Sequence, residues 1–232
     1  MSQQLALNIR LREGATFAAY YPGPNQAAAH ALKTFADQPG GLRQAYLWGA
    51  PATGKSHLLQ AVCHQASTLG QAGVYLPLAQ LQKAAQAEVL EDLHAIDAVC
   101  IDDIDAIAGR PVWERALFNL INTVRDAGHR LVLASQCNPA AMRLGLADLK
   151  SRLLWGPVFH LKTLDDETKL AALKICAGQR GLRLKDDAAR YLLNNWRRDI
   201  GALLEALETL DHASLAAQRR VTIPFIKTVL GL

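Results

Sequence analysis

The sequence predicts an α/β fold, a five-stranded parallel sheet with helices on both faces, followed by a small all-helical domain. Three observations carry that prediction. Short apolar runs of strand length alternate with helix-period segments between Tyr46 and Leu161. Two of those runs end abruptly, one at Gly49 and one in the acidic pair Asp102-Asp103, as expected at the strand ends where open parallel sheets bind ligands. From Thr163 onward the strand signals cease and only helical periodicity continues. The expected boundaries are therefore a tail over 1–16, a sheet domain over 17–162 and a helical domain over 163–232.

Residues 1–16 carry few helix or strand signals. Within them Gln4-Leu5-Ala6-Leu7-Asn8-Ile9 alternates three aliphatics. By spacing alone this is a frayed terminus or a first strand; an extended peptide of this kind also suits a partner's groove. Residues 17–25 are aromatic, then rich in turn formers, with Tyr20, Pro22 and Pro24 among them. Such a loop serves equally to cover a base or to pack on the domain edge. A helix over 26–35 follows and is stopped by Pro39-Gly40-Gly41.

The first strand, 45–48, runs into Gly49-Ala50-Pro51-Ala52-Thr53-Gly54-Lys55-Ser56, the spacing G-x-x-x-x-G-K-[ST], and a helix begins with His57 and the apolar residues after it. Strand, glycine loop and helix together are the Walker A or P-loop pattern in its required context. Glycine at 49 and 54 lets the backbone turn tightly and aim N–H groups at phosphate oxygens. The helix N-terminus adds unpaired amides and a favourable dipole for an anion. Lys55 is placed for the β- and γ-phosphates of a nucleotide, and Ser56 for Mg²⁺. A glycine turn that merely happens to hold a lysine would not reproduce all four defining positions in this context.

A second strand at 74–76 and a helix over 78–87 lead to Asp97-Ala98-Val99-Cys100-Ile101-Asp102-Asp103. Four apolar residues ending in two carboxylates form a Walker B pattern. On that reading Asp102 joins Ser56 in holding Mg²⁺, and Asp103 stands where a water-orienting carboxylate belongs; its structural alternative is a cap for the helix that begins at Ile104. Residues 112–126 form an amphipathic helix, with Trp113, Leu117, Leu120, Ile121 and Val124 on one buried face. A strand at 130–135 ends in polar residues, of which Asn138 serves either the site or the turn before Pro139. A short helix at 146–154 carries Asp148, Lys150 and Arg152, and a last strand lies at 158–161. Four helices complete the chain, with Asp165, Asp186, Asp199 and Thr222 at or near their starts.

The chain's 232 residues, half of them hydrophobic, suffice for a large core without disulfides or structural metals. Its four cysteines are widely spaced and form no C-x-x-C pair, so they read as reduced thiols of a cytoplasmic protein. No signal peptide or membrane-length apolar run occurs. A net charge of +4 is too modest to argue for direct DNA binding.

The whole constellation resembles the AAA+ ATPases related to the bacterial initiator DnaA, and within them the Hda family of regulators. The resemblance rests on the two Walker motifs with Asp102-Asp103-Ile104, on Gly23-Pro24-Asn25, and on Leu149-Lys150-Ser151-Arg152-Leu153-Leu154-Trp155-Gly156. It rests also on Arg198-Asp199-Ile200 and Thr222-Ile223-Pro224-Phe225-Ile226-Lys227. It covers nearly everything from Phe17 onward. What it implies is an AAA+ module that binds ADP or ATP with Mg²⁺ through 49–57, Tyr20, Pro22 and Arg198, the last as a lid arginine over the phosphates. It implies an arginine finger at Arg152, whose plain alternative is a surface ion pair with Asp148. Gln4, Leu5, Leu7 and Ile9 resemble the peptide that docks on the DNA polymerase III sliding clamp (the beta subunit), with DNA reached mainly through the clamp. The implied function is a regulator of replication initiation that stimulates hydrolysis of DnaA-bound ATP in trans, with weak intrinsic ATPase activity and a homodimer as a further possibility. The competing class is an ATPase in its own right, such as a helicase loader or initiation factor. No recognition domain is expected after the lid, which argues against a DNA-reading initiator.

Overall fold

The computed structural model describes residues 11–12, 14–37, 41–91 and 93–232. The clamp-like peptide 4–9 lies outside them. By contacts the chain divides into two compact units, one comprising the residues up to Pro51 together with Lys55–Lys162, the other Ala52–Gly54 together with Thr163–Leu232.

The first unit is built on β1 (Gln44–Trp48), β2 (Gly73–Pro77), β3 (Ala98–Asp102), β4 (Arg130–Ser135) and β5 (Val158–His160). All pairings are parallel, in the order β2-β3-β4-β1-β5. The strands are apolar on both sides because both sides are covered. Tyr46, Val99, Ile101, Leu131 and Leu133 point to one face, where α3 (Leu78–Ala84), α4 (Pro111–Asp126) and α5 (Ala147–Leu153) pack. Ala45, Leu47, Ala98, Cys100, Val132 and Ala134 point to the other, covered by α1 (Gln26–Asp37) and α2 (Lys55–Thr68). The strand order reverses at β1, since the chain leaves it toward β2 on one side and returns as β5 on the other. In an open α/β sheet the crevice at such a reversal, outside the strands' C-terminal ends, is where ligands bind.

Two local details depart from the sequence expectations. The helix expected over 78–87 stops at Ala84, because Ala85 and Gln86 turn extended. The chain then forms a 3₁₀ turn at Ala87–Leu90 that buries Ala87 and Leu90 against the core. Arg12 and Thr16, within the stretch read as a tail, are tied to α2: the Arg12 amide donates to Gln60 Oε1 (2.9 Å), and the carbonyls of Arg12 and Thr16 meet the rings of His64 and His57 at 2.9 Å each.

The second unit consists of α6 (Asp166–Gln179), α7 (Asp186–Asn195), α8 (Ile200–Ala217) and α9 (Ile223–Leu230) around a leucine- and alanine-rich core. Three of its helices are capped by side chains. Asp165, Asp199 and Thr222 accept from the amides of Thr168, Ala202 and Phe225, satisfying donors that a helix start leaves open. The cap bond at Thr168 also holds the Asp165 carboxyl below its usual range. All four cysteines are free, with Cys63, Cys100 and Cys176 buried. No helix among the described residues is long and apolar enough to cross a membrane.

Candidate functional site

Two places gather most of the residues singled out by sequence, and they lie at opposite ends of β1. At its C-terminal end the chain leaves the sheet through the glycine loop. Gly49 and Gly54 have φ of 156° and 92°, and Ala52 sits at 61° in the left-handed region, a conformation that costs a non-glycine residue about 1 kcal/mol. The strain bends the loop back on itself. Lys55, the first residue of α2, is only 6% exposed and donates through Nζ to the carbonyls of Gly49 (2.7 Å) and Ala50 (2.8 Å). Burial lowers its pKa, while Asp102, Asp103 and Asp105 pull it back up. The ammonium is thus held on neutral carbonyls next to three carboxylates.

β3 delivers those carboxylates. Asp102 is fully buried; its Oδ1 accepts from the Asp103 amide (2.9 Å) and its Oδ2 from the Tyr75 hydroxyl (2.8 Å). Asp103 turns into the left-handed region, φ 55° and ψ 43°, which short polar side chains tolerate. It stands at the N-cap position of the 3₁₀ turn Ile104–Ile107 but makes no side-chain cap bond, so the capping alternative is not what its carboxylate does. Burial, then the charges of Asp102 and Asp105, raise its pKa to about 6, against the pull of Lys55. Asp105 is engaged elsewhere, its Oδ1 accepting from the Gln136 amide at the end of β4 (2.8 Å). Asn138 caps the following turn by accepting from the Ala140 amide (2.9 Å).

The Ser56 side chain lies near enough to the Tyr75 hydroxyl to oppose the rise of its pKa. Ser56 and Asp102 therefore both neighbour the Tyr75 phenol, an all-oxygen donor pair of the kind Mg²⁺ takes alongside phosphates. Among the described residues no three His, Cys, Asp or Glu side chains gather to hold a metal by themselves. A cation here would be held jointly with a ligand's phosphates, and the residues present fit that arrangement.

The aromatic loop meets the same helix. The Tyr20 ring lies 5.4 Å from the His57 ring at a tilt of 43°. Burial raises the Tyr20 pKa to about 12, opposed by a hydrogen bond with Asn25, and burial lowers that of His57. Pro22 opens the 3₁₀ turn Gly23–Asn25, its carbonyl accepting from the Asn25 amide (2.7 Å). Asn25 then clamps the loop to the end of the sheet, exchanging hydrogen bonds of 2.9 and 2.8 Å with the Lys162 carbonyl and amide.

The N-terminal end of β1 holds the other candidate. Gln44, the first residue of β1, donates through Nε2 to the Arg152 carbonyl (2.7 Å), and Gly156 packs so tightly on the Gln44 carbonyl that a Cβ there would collide with it. Arg152 makes no ion pair with Asp148. Its guanidinium carbon lies 3.9 Å from the Trp155 ring centroid and 5.5 Å from that of Phe118. Arg125 stacks on the same indole at 3.7 Å. The indole's electron-rich face holds both cations where a carboxylate was the sequence's plain alternative.

α5, which carries Arg152, is anchored by a residue that sequence reasoning missed. Glu114 is 1% exposed and accepts from three backbone amides, Gly109 (2.7 Å), Gly145 (3.1 Å) and Leu146 (2.7 Å). Tyr75 was likewise overlooked as a site residue. The second unit places Arg198 on Asp166 at 2.7 Å, with both side chains at least half exposed.

Residues 11–160 match the model of the bacterial DnaA ATPase domain, and residues 166–230 match the model described as Hda, lid domain. Domain III of the Thermotoga maritima initiator DnaA superposes with a TM-score of 0.74 at 22% identity, covering 96% of this chain and 98% of that one. AMPPCP-bound DnaA from Aquifex aeolicus gives 0.70 at 23% identity, covering 85% of this chain and 65% of that one. Thermotoga maritima RuvB gives 0.62 at 15%, over 91% and 69%. At such identities the structural likenesses establish the AAA+ fold, and the family match goes further: the chain belongs to the bacterial DnaA ATPase-domain family and carries an Hda-type lid.

Proposed function

We propose that this protein is a nucleotide-binding regulator of replication initiation, which docks on the DNA sliding clamp and stimulates hydrolysis of DnaA-bound ATP by supplying Arg152 in trans. The observation that carries it is the separation of the two sites along β1. The Arg152 carbonyl is tied to Gln44 at the strand's start, whereas the P-loop leaves from Trp48 at its end. Four residue steps at about 3.3 Å each set them some 13 Å apart along the strand. An arginine rooted at the start of the strand, resting on Trp155 and Phe118, supports use by whatever packs against that end of the sheet.

In this reading the chain's own site binds ADP or ATP through 49–57, with Tyr20 and Pro22 against the base. Lys55 exchanges its carbonyl partners for the outer phosphates, a stronger charge-assisted bond. Ser56 and Asp102 would hold Mg²⁺, which would neutralise phosphate charge. Arg198 joins from the lid by giving up an exposed ion pair with Asp166, worth at most about 1 kcal/mol. The bound nucleotide sets the shape of the module and is not primarily a substrate. Arg152 leaves the Trp155 face, a contact of about 1 kcal/mol, for a partner's γ-phosphate, where arginine fingers contribute about 10³–10⁵ in rate. Gln4, Leu5, Leu7 and Ile9 provide the clamp contact, and DNA is met through the clamp.

A second reading, an ATPase acting on its own account as a helicase loader, is favoured by Asp103, whose pKa near 6 suits a group that orients water at neutral pH. One experiment separates the two. On clamp-loaded DNA, the full chain should accelerate hydrolysis of DnaA-bound ATP, and deletion of residues 1–9 should abolish both clamp pull-down and that acceleration. Steady ATP turnover by the chain alone, with clamp binding unaffected by the deletion, would contradict the regulator reading.

A further inference from the structure

The phenol of Tyr75 occupies the junction of the candidate metal site. β2 pairs with β3 so that Tyr75 lies opposite Cys100, and with a side-chain period of two, Tyr75, Cys100 and Asp102 share one face of the sheet. The Tyr75 side chain reaches diagonally to Asp102, donating its O–H to Oδ2 at 2.8 Å, and it also meets Ser56 on the first turn of α2. Asp102 is fully buried, and a buried carboxylate must have its oxygens satisfied. The Asp103 amide serves Oδ1, and the neighbours along the strand on this face, Ala98 and Cys100, bring no oxygen or nitrogen side-chain donor. The phenol is therefore what fixes the direction of Oδ2.

We infer that Tyr75 is a positioning residue of the nucleotide–metal site, holding Asp102 in the orientation that supports a divalent cation and coupling it to Ser56 across the β2–α2 junction. The inference rests on the nucleotide-site reading above. Groups that hydrogen-bond a metal's carboxylate ligand govern its geometry, and their removal typically costs about 10–100-fold in metal affinity. Because Tyr75 acts through Asp102 and Ser56, the residues assigned to the cation, its loss should leave metal-free nucleotide binding intact.

The test is a titration of the full chain with a fluorescent ADP analogue, in EDTA and across a Mg²⁺ series, for the native chain and Tyr75→Phe. The native chain should bind the analogue more tightly as Mg²⁺ rises. In Tyr75→Phe the half-maximal Mg²⁺ concentration should rise about 10–100-fold, with affinity in EDTA unchanged. The same substitution in an Asp102→Asn background should have no further effect. An unchanged Mg²⁺ dependence overturns the inference, as does a shift to lower Mg²⁺, which would make the phenol a competitor of the cation. Equal losses with and without Mg²⁺ also overturn it, since they mark a structural role. A native chain whose ADP affinity ignores Mg²⁺ overturns it while leaving the nucleotide site standing. A native chain that binds no ADP under either condition overturns the nucleotide-site reading itself, and this inference with it.

Discussion

The two ends of β1 solve different problems with the same strand. At the C-terminal end the backbone is strained and the charges are buried: three residues of the glycine loop and Asp103 have positive φ, and Lys55 and Asp102 are almost wholly enclosed. At the N-terminal end Arg125 is exposed and Arg152 is partly buried, its Nε enclosed, and both rest on Trp155. An enclosed, preorganised arrangement suits a ligand held within the molecule. An arginine held by soft contacts with two aromatic rings suits a group that must be handed to another molecule. The difference in construction argues for two sites with two clients, and each end can be broken separately.

The largest structural effect is expected at the N-terminal end. Gly156→Ala places a methyl against the Gln44 carbonyl, and the backbone must move to accept it. The expected loss is about 3 kcal/mol of stability, measured by urea denaturation, with α5 displaced. Next is Glu114→Ala, which leaves three amides without their acceptor. A loss of about 2–3 kcal/mol is expected, and hydrogen exchange should accelerate at Gly145 and Leu146 and not in the P-loop. Spread of that acceleration to the P-loop would show that the two ends are not separable. The smallest effect lies at the C-terminal end. Asp103 has its pKa raised from 3.8 to about 6, so the folded state prefers the neutral carboxyl. Its contribution to stability is full below pH 3.8 and is lost as pH rises through 6. Asp103→Asn keeps a residue that tolerates the left-handed backbone. Its melting temperature should therefore gain on the native chain between pH 4.5 and 7.5, in the absence of nucleotide, and a constant difference would contradict the assignment.

The legibility of these two ends in the sequence also differs. The glycine loop and Asp102-Asp103 were readable because their chemistry is written in contiguous residues at fixed spacing, and the strands and helices around them followed from apolar periodicity. Arg152 was readable only through its segment's likeness to a family, and its partner was not: the i,i+4 spacing to Asp148 pointed to an ion pair, whereas the fold brought Trp155 and Phe118 to it. Glu114 and Tyr75 left no local signal. Glu114 sits on the apolar face of α4 as an apparent exception, and only the arrival of the loops at Gly109 and Gly145 supplies its three donors. Tyr75 looks like one more aromatic in a buried strand until the register of β2 on β3 sets it diagonally from Asp102. Periodicity also carried α3 too far, because burial of Ala87 and Leu90 outweighed the helix propensity of an alanine- and glutamine-rich stretch.

The central claim, that Arg152 works at a nucleotide other than the one in its own P-loop, is tested most directly by Arg152→Ala assayed on both. The account predicts that single-turnover hydrolysis of DnaA-bound ATP on clamp-loaded DNA loses its stimulation, a fall of about 10³-fold or more in the stimulated rate constant. It also predicts that the variant's own affinity for ADP stays within about twofold of the native chain's, since 13 Å or so of strand separates the two sites. Unchanged stimulation, or a loss confined to the chain's own nucleotide binding, would contradict it.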